Sequence, residues 1–290
     1  MTANTKNLVQ VHIAVLLFGL AGLFGKLVDL PSTIIVFGRV LFATVFLVFI
    51  LLYLKQSIKL KQKRDYFYLT ILGVILAIHW VTFFQAIQVS TVAVGLLSFS
   101  TFPVFTTFLE PYFFKEKIKL PDIAIAFITF LGVSLVIPKF ELGNNITQGV
   151  LWGIASGFTF AILSILNRKY VKDYSALVIV FYQDSIATIV LIPFLFISKP
   201  IFLLNNILLL VLLGIVFTAT AHSLFIKGLT NVKAQTASII TSLEPVYGII
   251  FAIIILSEIP TTRVILGGAI ILGATFYATI KYKASPPIPE

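Results

Sequence analysis

Ionisable side chains inside long apolar segments are the residues of this sequence that could do chemistry. The clearest are Arg39, Glu110, Asp184 and Glu244, each of which lies within a run of apolar residues. A charged group at the centre of a bilayer costs about 2.5–3.5 kcal/mol on insertion scales, so such groups line a cavity or pair with one another. A carboxyl group that is alternately exposed to water and buried can bind and release a proton. Asp184 and Glu244 are therefore the candidates for proton coupling.

Two prolines stand next to these polar positions. Pro245 follows Glu244, and Pro103 follows Phe102 at a corresponding place in the first half of the chain. A proline removes one backbone N–H from a helix, so a carbonyl one turn earlier, near Thr241, is free to face water or a ligand. We expect a bend at each proline and a cavity between the two bends. Helix packing alone is an equally good reason for either bend.

Helical spacing groups further polar and aromatic residues by face, since residues three and four apart are neighbours on a helix. His79 and Phe83 share a face with Trp80 beside it, and His222 falls at almost the same position in the second half. A lone histidine more often packs than binds, but the matching positions make binding equally plausible. The predicted binding residues are Arg39, His79, Trp80, Phe83, Ser98, Thr101, Phe102, His222, Thr241 and Tyr247.

Small residues recur every four positions at Gly149, Gly153 and Gly157. This spacing lets the backbone of a neighbouring helix approach closely. We interpret these glycines, together with Pro103 and Pro245, as hinge or packing positions at which one group of helices could rock against another. Static tight packing explains the glycines equally well.

The composition requires a membrane setting for these residues. Of 290 residues, 59% are hydrophobic and 11% are charged, against about 45–50% and 25% in soluble proteins. A membrane-spanning helix takes about 20 apolar residues, and the short loops leave no room for a soluble domain. The apolar runs predict ten transmembrane helices in an all-α polytopic protein, at 8–27, 33–54, 66–88, 92–114, 121–138, 148–167, 176–197, 206–228, 234–256 and 263–282.

The distribution of positive charge predicts the orientation. Most of the 21 lysine and arginine residues fall in alternate loops, and cytoplasmic loops retain such charges during insertion. Both termini are therefore expected in the cytoplasm. The net charge of +10 is explained by basic residues next to anionic lipid headgroups, so no nucleic-acid partner is expected.

The two halves of the chain also resemble each other. A shift of 142 positions lays residues 102–105 on residues 244–247, places Glu116 on Glu258, and sets 79–80 against 221–222. This ordered match predicts two repeats, 8–138 and 148–282. Because each repeat has five spans, an odd number, the two insert in opposite orientations as an inverted repeat.

At the family level the sequence resembles the EamA-type transporters of the drug/metabolite transporter superfamily. The residues that carry the resemblance are the glycine-rich segment from Phe18 to Lys26, Arg39, Pro103 followed by Glu116, and the segment from Leu243 to Ala274. The sequence departs from the commonest pattern at Phe18, where many members place a tryptophan. The resemblance implies a bacterial inner-membrane carrier of amino acids or related amphipathic metabolites, more often an exporter than an importer.

Missing motifs limit the chemistry. The sequence has no P-loop for ATP hydrolysis, no HExxH motif, no cysteine and three histidines, so neither a cofactor nor a metal nor an enzymatic activity is expected. We therefore predict a secondary transporter that works by alternating access, with Arg39 pairing with Asp184 or with a substrate carboxylate. Its expected partners are a small-molecule substrate, membrane lipids and candidate coupling protons, and its oligomeric state is left open. A broad-specificity drug exporter and a non-transporting scaffold or receptor are the alternatives.

Overall fold

The computed structural model describes residues 3–114, 120–137, 139–232, 234–241 and 243–283, which form α-helices joined by short loops. Residues 115–119 with Glu116, residue 138, the side chain of Glu110 and both ends of the chain lie outside the described residues, although the predictions above refer to them. The helices are α1 (Ala3–Gly22), α2 (Phe24–Leu27), α3 (Ser32–Tyr53), α4 (Lys63–Val89), α5 (Val92–Phe99), α6 (Phe102–Phe114), α7 (Leu120–Val136), α8 (Asn145–Tyr170), α9 (Ala176–Ser198), α10 (Leu204–Gly214), α11 (Ala221–Gly228), α12 (Ala234–Thr241), α13 (Glu244–Leu256) and α14 (Thr262–Lys283).

Among the described residues, seven helical segments are long and apolar enough to cross a membrane. They are Thr5–Leu27, Ser32–Tyr53, Lys63–Val89, Val92–Phe113, Asn145–Tyr170, Ala176–Ser198 and Leu204–Gly228. Each overlaps one predicted span. Three shorter apolar helices, Ile123–Val136, Glu244–Leu256 and Thr262–Ala274, overlap the remaining three.

Local sequence signals place several helix ends. The side chain of Thr91 accepts a hydrogen bond from the backbone N–H of Val94 at 3.1 Å, and Ser175 accepts one from the N–H of Val178 at 3.3 Å. These bonds satisfy N–H groups in the first turn that have no partner within the helix. The loop before α5 carries no charge, and this hydroxyl cap explains why the helix nevertheless begins there.

The end of α4 is held by a lysine from another helix. The ammonium group of Lys26, in α2, donates to the carbonyl oxygens of Gln88 at 3.2 Å and Ser90 at 2.9 Å. A cation at a helix C-terminus satisfies carbonyls that have no partner within the helix and complements the helix dipole. Lys26 therefore fixes the first span against the turn between the third and fourth.

Within the described residues, two of the predicted spans are broken in the middle, and each break precedes its proline. The predicted span 92–114 divides between α5 and α6, and the predicted span 234–256 divides between α12 and α13. Pro103 and Pro245 are the second residues of α6 and α13, rather than bends within continuous helices. The first turn of a helix tolerates proline because its N–H groups have no partner within the helix there.

A π-helix, Ile215–Thr220, joins α10 to α11. The hydroxyl of Thr218 donates to the carbonyl of Leu213 at 2.8 Å, and that of Thr220 donates to the carbonyl of Ile215 at 2.9 Å. A π-helix widens the turn by one residue and is frequent at functional sites. Nothing in the sequence pattern indicates this segment.

The helices pack with α4 along α8, α3 along α9, α7 along α14, and α1 against α11 and α13. The glycine face of α8 meets α5. A Cβ atom on Gly153 would lie 2.5 Å from the Cβ of Ser98, and one on Gly157 would lie 2.8 Å from the carbonyl oxygen of Phe99. These approaches require glycine, and they hold α5 and α8 together beside the centre of the molecule.

Candidate functional site

A central cavity lies among α1, α3, α4, α5, α8, α11 and α13. Its volume is about 30 Å³, which is room for one or two water molecules, so a metabolite can enter only when the helices move apart. Most of its walls are aromatic or apolar, with a few polar groups. The lining residues are Phe18, Ala21, Arg39, Leu76, His79, Trp80, Phe83, Phe99, Phe160, Leu163, Ser164, Asn167, His222, Phe225 and Glu244.

Arg39 supplies the positive charge of the cavity and is 2% exposed. Its Nε donates to the hydroxyl of Thr218 at 2.9 Å, and its guanidinium carbon lies 3.9 Å from the ring centroid of Trp80. The π-helix thus orients the guanidinium while the indole ring stabilises its charge. A guanidinium has five N–H donors, so donors remain for an anionic ligand.

Two buried carboxyl groups accompany this arginine. Glu244 begins α13, lines the cavity and is 3% exposed. Asp184, on α9, is fully buried but does not line the cavity. Both of its carboxyl oxygens lack a hydrogen-bond partner among the described residues. Among those residues no salt bridge joins Arg39 to either group, so the predicted pairing of Arg39 with Asp184 is not formed in this conformation.

The two predicted histidines both line the cavity but differ in their partners. Nδ1 of His79 lies 2.9 Å from the hydroxyl of Ser156 and 3.0 Å from its carbonyl oxygen. This contact ties α4 to α8. Nδ1 of His222 is buried without a hydrogen-bond partner in the part of the chain that is described, and its ring lies 5.5 Å from that of Trp80. His222 is therefore the histidine with an unused polar atom.

Phenylalanines outside the predicted binding residues form most of the aromatic wall. Ring centroids are 5.4 Å apart between Phe83 and Phe99, 5.3 Å between Phe99 and Phe160, 5.5 Å between Phe160 and Phe225, and 5.7 Å between Phe18 and Phe225. A signal was present in the sequence, because Phe18 and Phe160, like Phe83 and Phe225, lie 142 positions apart.

Five predicted binding residues lie away from the cavity wall. The hydroxyl of Thr101 donates to the carbonyl of Ser98 at 2.8 Å, and both residues pack against the glycines of α8. Phe102 stacks behind Phe99 at 5.0 Å. The other two are Thr241, which donates to the carbonyl of Ala237, and the half-buried Tyr247, which packs against Gly19. These side chains face neighbouring helices instead of the cavity. The spacing of residues within one helix does not show which neighbour a given face contacts.

A second polar group of residues lies where the α3–α4 and α8–α9 loops meet. We call Lys61, Asp65, Asp173 and Tyr174 the loop cluster. Lys61 forms an ion pair with Asp173 at 3.2 Å, and the hydroxyl of Tyr174 donates to the carboxylate of Asp65. Burial and the hydrogen bond to Asp65 raise the pKa of the Tyr174 hydroxyl above its usual value, so it remains a donor at neutral pH.

Comparison with known proteins identifies the class to which this helical fold and cavity belong. The model of the EamA-like transporter family matches residues 6–137 and 147–280, and the chain therefore belongs to this family. It is a transporter and an integral membrane protein of the bacterial plasma membrane.

Several relatives are similar over most of their length. An uncharacterized transporter, YxxF, of Bacillus subtilis is 28% identical over 83% of this chain and 79% of its own. An S-adenosylmethionine uptake transporter of Rickettsia conorii is 25% identical over 86% of this chain and 83% of its own. One solved crystal structure shares the fold with a TM-score of 0.73, at 15% identity, over 98% of this chain and 100% of that one.

Proposed function

We propose that this chain is a secondary transporter that moves a small amphipathic metabolite, an amino acid or an amino-acid derivative, by alternating access. Ten helices cross the bilayer as two inverted five-helix repeats, 8–138 and 148–282, and both termini lie in the cytoplasm. Such repeats enclose a substrate site near the middle of the membrane, and rocking of one group of helices against the other exposes it to each side in turn.

The observation that carries this proposal is the composition of the cavity wall. Four pairs of lining residues are separated by the offset that aligns the two halves of the sequence. Trp80 and His222 form one such pair and touch each other, with ring centroids 5.5 Å apart. Contact between equivalent residues is expected near the axis that relates two inverted repeats. The other pairs are Phe18 with Phe160, Ala21 with Leu163, and Phe83 with Phe225.

The broken helices support the same arrangement. The first pieces end at Phe99 and Thr241, and the second pieces begin at Phe102 and Glu244, so both breaks follow the offset of 142. Discontinuous helices near the bilayer midplane commonly hold the substrate of secondary transporters, because their ends present unpaired backbone groups. Phe99 and Glu244 both line the cavity.

In the proposed mechanism, Arg39 binds the carboxylate of the substrate. His79 and His222 supply hydrogen bonds, and Trp80 and Phe83 form the walls against its apolar part. The 30 Å³ volume fits a conformation closed around the site, so opening toward either side precedes binding. The close packing at Gly153 and Gly157 joins α8 to α5 as one moving body, and Gly149 packs against Ala86 and Ser90 at the end of α4.

Asp184 and Glu244 are the proposed proton carriers. Each is nearly or fully buried, and neither has an ion-pair partner among the described residues. A carboxyl group in this setting exchanges a proton when the cavity opens to water. The driving force is then a proton gradient, the gradient of the substrate itself, or exchange for a second substrate.

Relatives whose names state a substrate narrow the class of substrate to test. They also leave open whether this chain exports or imports its substrate. Several carry the name S-adenosylmethionine uptake transporter, and S-adenosylmethionine is an amino-acid derivative with a carboxylate and an aromatic base. We therefore place S-adenosylmethionine first among the substrates to test. The resemblance favoured export, whereas these relatives import, so direction is to be measured on this chain.

Counterflow in proteoliposomes tests the proposed function. Purified protein is reconstituted with unlabelled substrate inside, and entry of labelled substrate is followed for amino acids, S-adenosylmethionine, nucleosides and sugar phosphates. We expect accumulation of an amino acid or amino-acid derivative, and its loss in Arg39→Gln. Folded protein that moves none of these would contradict the proposal.

The drug exporter remains a second candidate because Glu244 stands in an aromatic cavity, which suits a lipophilic cation. Transport of ethidium or tetraphenylphosphonium in the same vesicles, without transport of any amino-acid derivative, would favour that function.

A further inference from the structure

We infer that a pocket beside the loop cluster binds the phosphate group of an anionic phospholipid. It lies where the start of α4 meets the end of α8, and its volume is about 150 Å³, several times that of the central cavity. The pocket is separate from the cavity proposed for the substrate, and only the cytoplasmic orientation of this end is taken from the proposed function. The charged residues in its wall are Lys61, Arg64, Asp65, Lys169 and Asp173.

Two cations in this wall are available to an anion. Both carboxylates of the wall are already engaged, one in the ion pair and the other in the tyrosine hydrogen bond of the loop cluster. Arg64, in the first turn of α4, and Lys169, in the last turn of α8, have no ion-pair partner among the described residues. With three cations and two carboxylates, the wall retains one positive charge. A phosphodiester carries one negative charge, and guanidinium and ammonium groups are the side chains that bind phosphate.

The pocket lies at the level of the lipid headgroups. The segments Lys63–Val89 and Asn145–Tyr170, which are long and apolar enough to cross a membrane, begin and end beside it. Tyr68 lines the pocket and is 45% exposed, and the neighbouring Phe67 is 65% exposed. Exposed aromatic side chains are typical of the membrane–water interface, and basic pockets on the cytoplasmic side bind anionic headgroups. A phospholipid can therefore place its phosphate in the pocket while its acyl chains stay in the bilayer.

A phosphate in this pocket would join the two halves of the chain. The start of α4 belongs to the first proposed repeat, and the end of α8 belongs to the second. The halves already touch here, because the hydroxyl of Tyr174 accepts from the backbone N–H of Lys61 at 2.9 Å and that of Tyr182 donates to the carbonyl of Ile58 at 2.9 Å. A ligand favours the conformation to which it binds, so the lipid stabilises the state in which this end of the protein is closed.

Thermal unfolding of the full-length protein in detergent measures the binding, since a ligand of the folded state raises the melting temperature. Dioleoylphosphatidylglycerol is titrated against dioleoylphosphatidylcholine, which has the same acyl chains but no net charge. We expect the wild type to prefer phosphatidylglycerol. Its apparent affinity for that lipid should fall about fivefold in Arg64→Gln and in Lys169→Gln, which is the contribution of one cation near an anionic lipid surface.

Two exposed lysines provide matched controls, because they lie in the same loops but outside the pocket wall. Lys59→Gln, in the α3–α4 loop, is compared with Arg64→Gln, and Lys172→Gln, in the α8–α9 loop, is compared with Lys169→Gln. Each control removes one positive charge from the same end of the protein. Both should keep the wild-type affinity. Equal losses in the controls and the pocket variants, or no preference between the two lipids, would overturn the site.

Inorganic phosphate and glycerol 3-phosphate distinguish a lipid from a soluble ligand with the same chemistry. Neither should raise the melting temperature of the wild type. If one of them does, and Arg64→Gln abolishes the rise, the pocket binds a soluble phosphate and the lipid assignment is wrong.

The absence of cysteine from the chain allows closure of this end to be followed with an introduced pair. Gln56 donates to the hydroxyl of Ser175 between the two loops, so Gln56→Cys and Ser175→Cys together can be joined by a short bismaleimide reagent. Phosphatidylglycerol should raise the yield of cross-linked protein above that in phosphatidylcholine, and Arg64→Gln should remove the rise. Equal yields in the two lipids would contradict the link between lipid binding and closure.

These measurements do not depend on transport. If lipid preference is absent but vesicles accumulate a metabolite, the proposed function stands and the lipid site is wrong. If the lipid binds as expected but folded protein transports none of the tested metabolites, the proposed function alone fails.

Discussion

The central cavity and the loop cluster both combine charged and aromatic side chains, but they use them differently. In the loop cluster Lys61 pairs with Asp173, and Asp65 accepts from Tyr174. At the centre of the molecule, neither Glu244 in the cavity wall nor Asp184 outside it has an ion-pair partner within the described part of the chain. Paired groups fix the positions of loops, whereas unpaired buried groups are costly and are expected at functional sites.

The charged side chains of the two regions differ in burial, and they therefore differ in how much they affect the stability of the protein. The side chains of Lys61 and Asp173 are 61% and 60% exposed, and an ion pair of this kind contributes about 0–1 kcal/mol. Arg39 and Asp184 are 2% and 0% exposed, so a change at either affects both stability and the binding of ligands. Variants in the two regions should therefore separate transport from stability.

The largest effect is expected at Arg39. Arg39→Gln removes the charge that would bind the substrate carboxylate, and a hydrogen bond to a charged group is worth about 1.5–3 kcal/mol, so counterflow should fall by about 10- to 100-fold. Lys61→Gln, in the loop cluster, should change it less than about threefold. Equal losses in the two variants, with equal amounts of folded protein, would remove the distinction between the regions.

The next effect concerns the unpaired carboxyl groups. Glu244→Gln and Asp184→Asn should each lower transport about tenfold and weaken its dependence on a proton gradient. Because each substitution replaces a buried carboxyl group that has no ion-pair partner among the described residues with an amide of the same shape, the melting temperature should change little. Unchanged proton dependence in both variants would contradict the proton-carrier assignment.

A smaller effect is expected where helices approach most closely. Gly157→Ala places a Cβ atom 2.8 Å from the carbonyl oxygen of Phe99, and overpacking of this kind costs about 1–3 kcal/mol. Thermal unfolding should therefore begin at a lower temperature. Gly143→Ala is the control, since no atom lies within 4 Å of the added Cβ, and it should melt like the wild type.

The smallest effects are expected in the loop cluster. Tyr174→Phe leaves the buried carboxylate of Asp65 without this donor and should destabilise the protein by about 1–2 kcal/mol. Lys61→Gln removes only the exposed ion pair and should cost less than about 1 kcal/mol. A transport defect in Tyr174→Phe larger than its loss of stability would give the loop cluster a functional role.

The sequence alone was sufficient for the membrane class, the approximate positions of the helices and the family. These features depend on local composition, because bilayer thickness sets the length of an apolar helix. The breaks in two of the predicted spans were indicated only in part, because Pro103 and Pro245 mark their positions but each stands in the first turn of a new helix rather than at a bend in a continuous one. The offset of 142 positions between the two halves also pairs Phe18 with Phe160, so the sequence contained a signal for these two residues of the aromatic wall.

Only the tertiary structure decided which helix faces line the cavity. Ser98 and Thr101 lie close together at the break between α5 and α6, yet both pack against the glycines of α8 instead of lining the cavity. Arg39 is held by Thr218, which is 179 positions away in a π-helix that composition does not indicate. Contacts of this kind depend on how distant helices are packed together, and the period of a single helix contains no information about its neighbours.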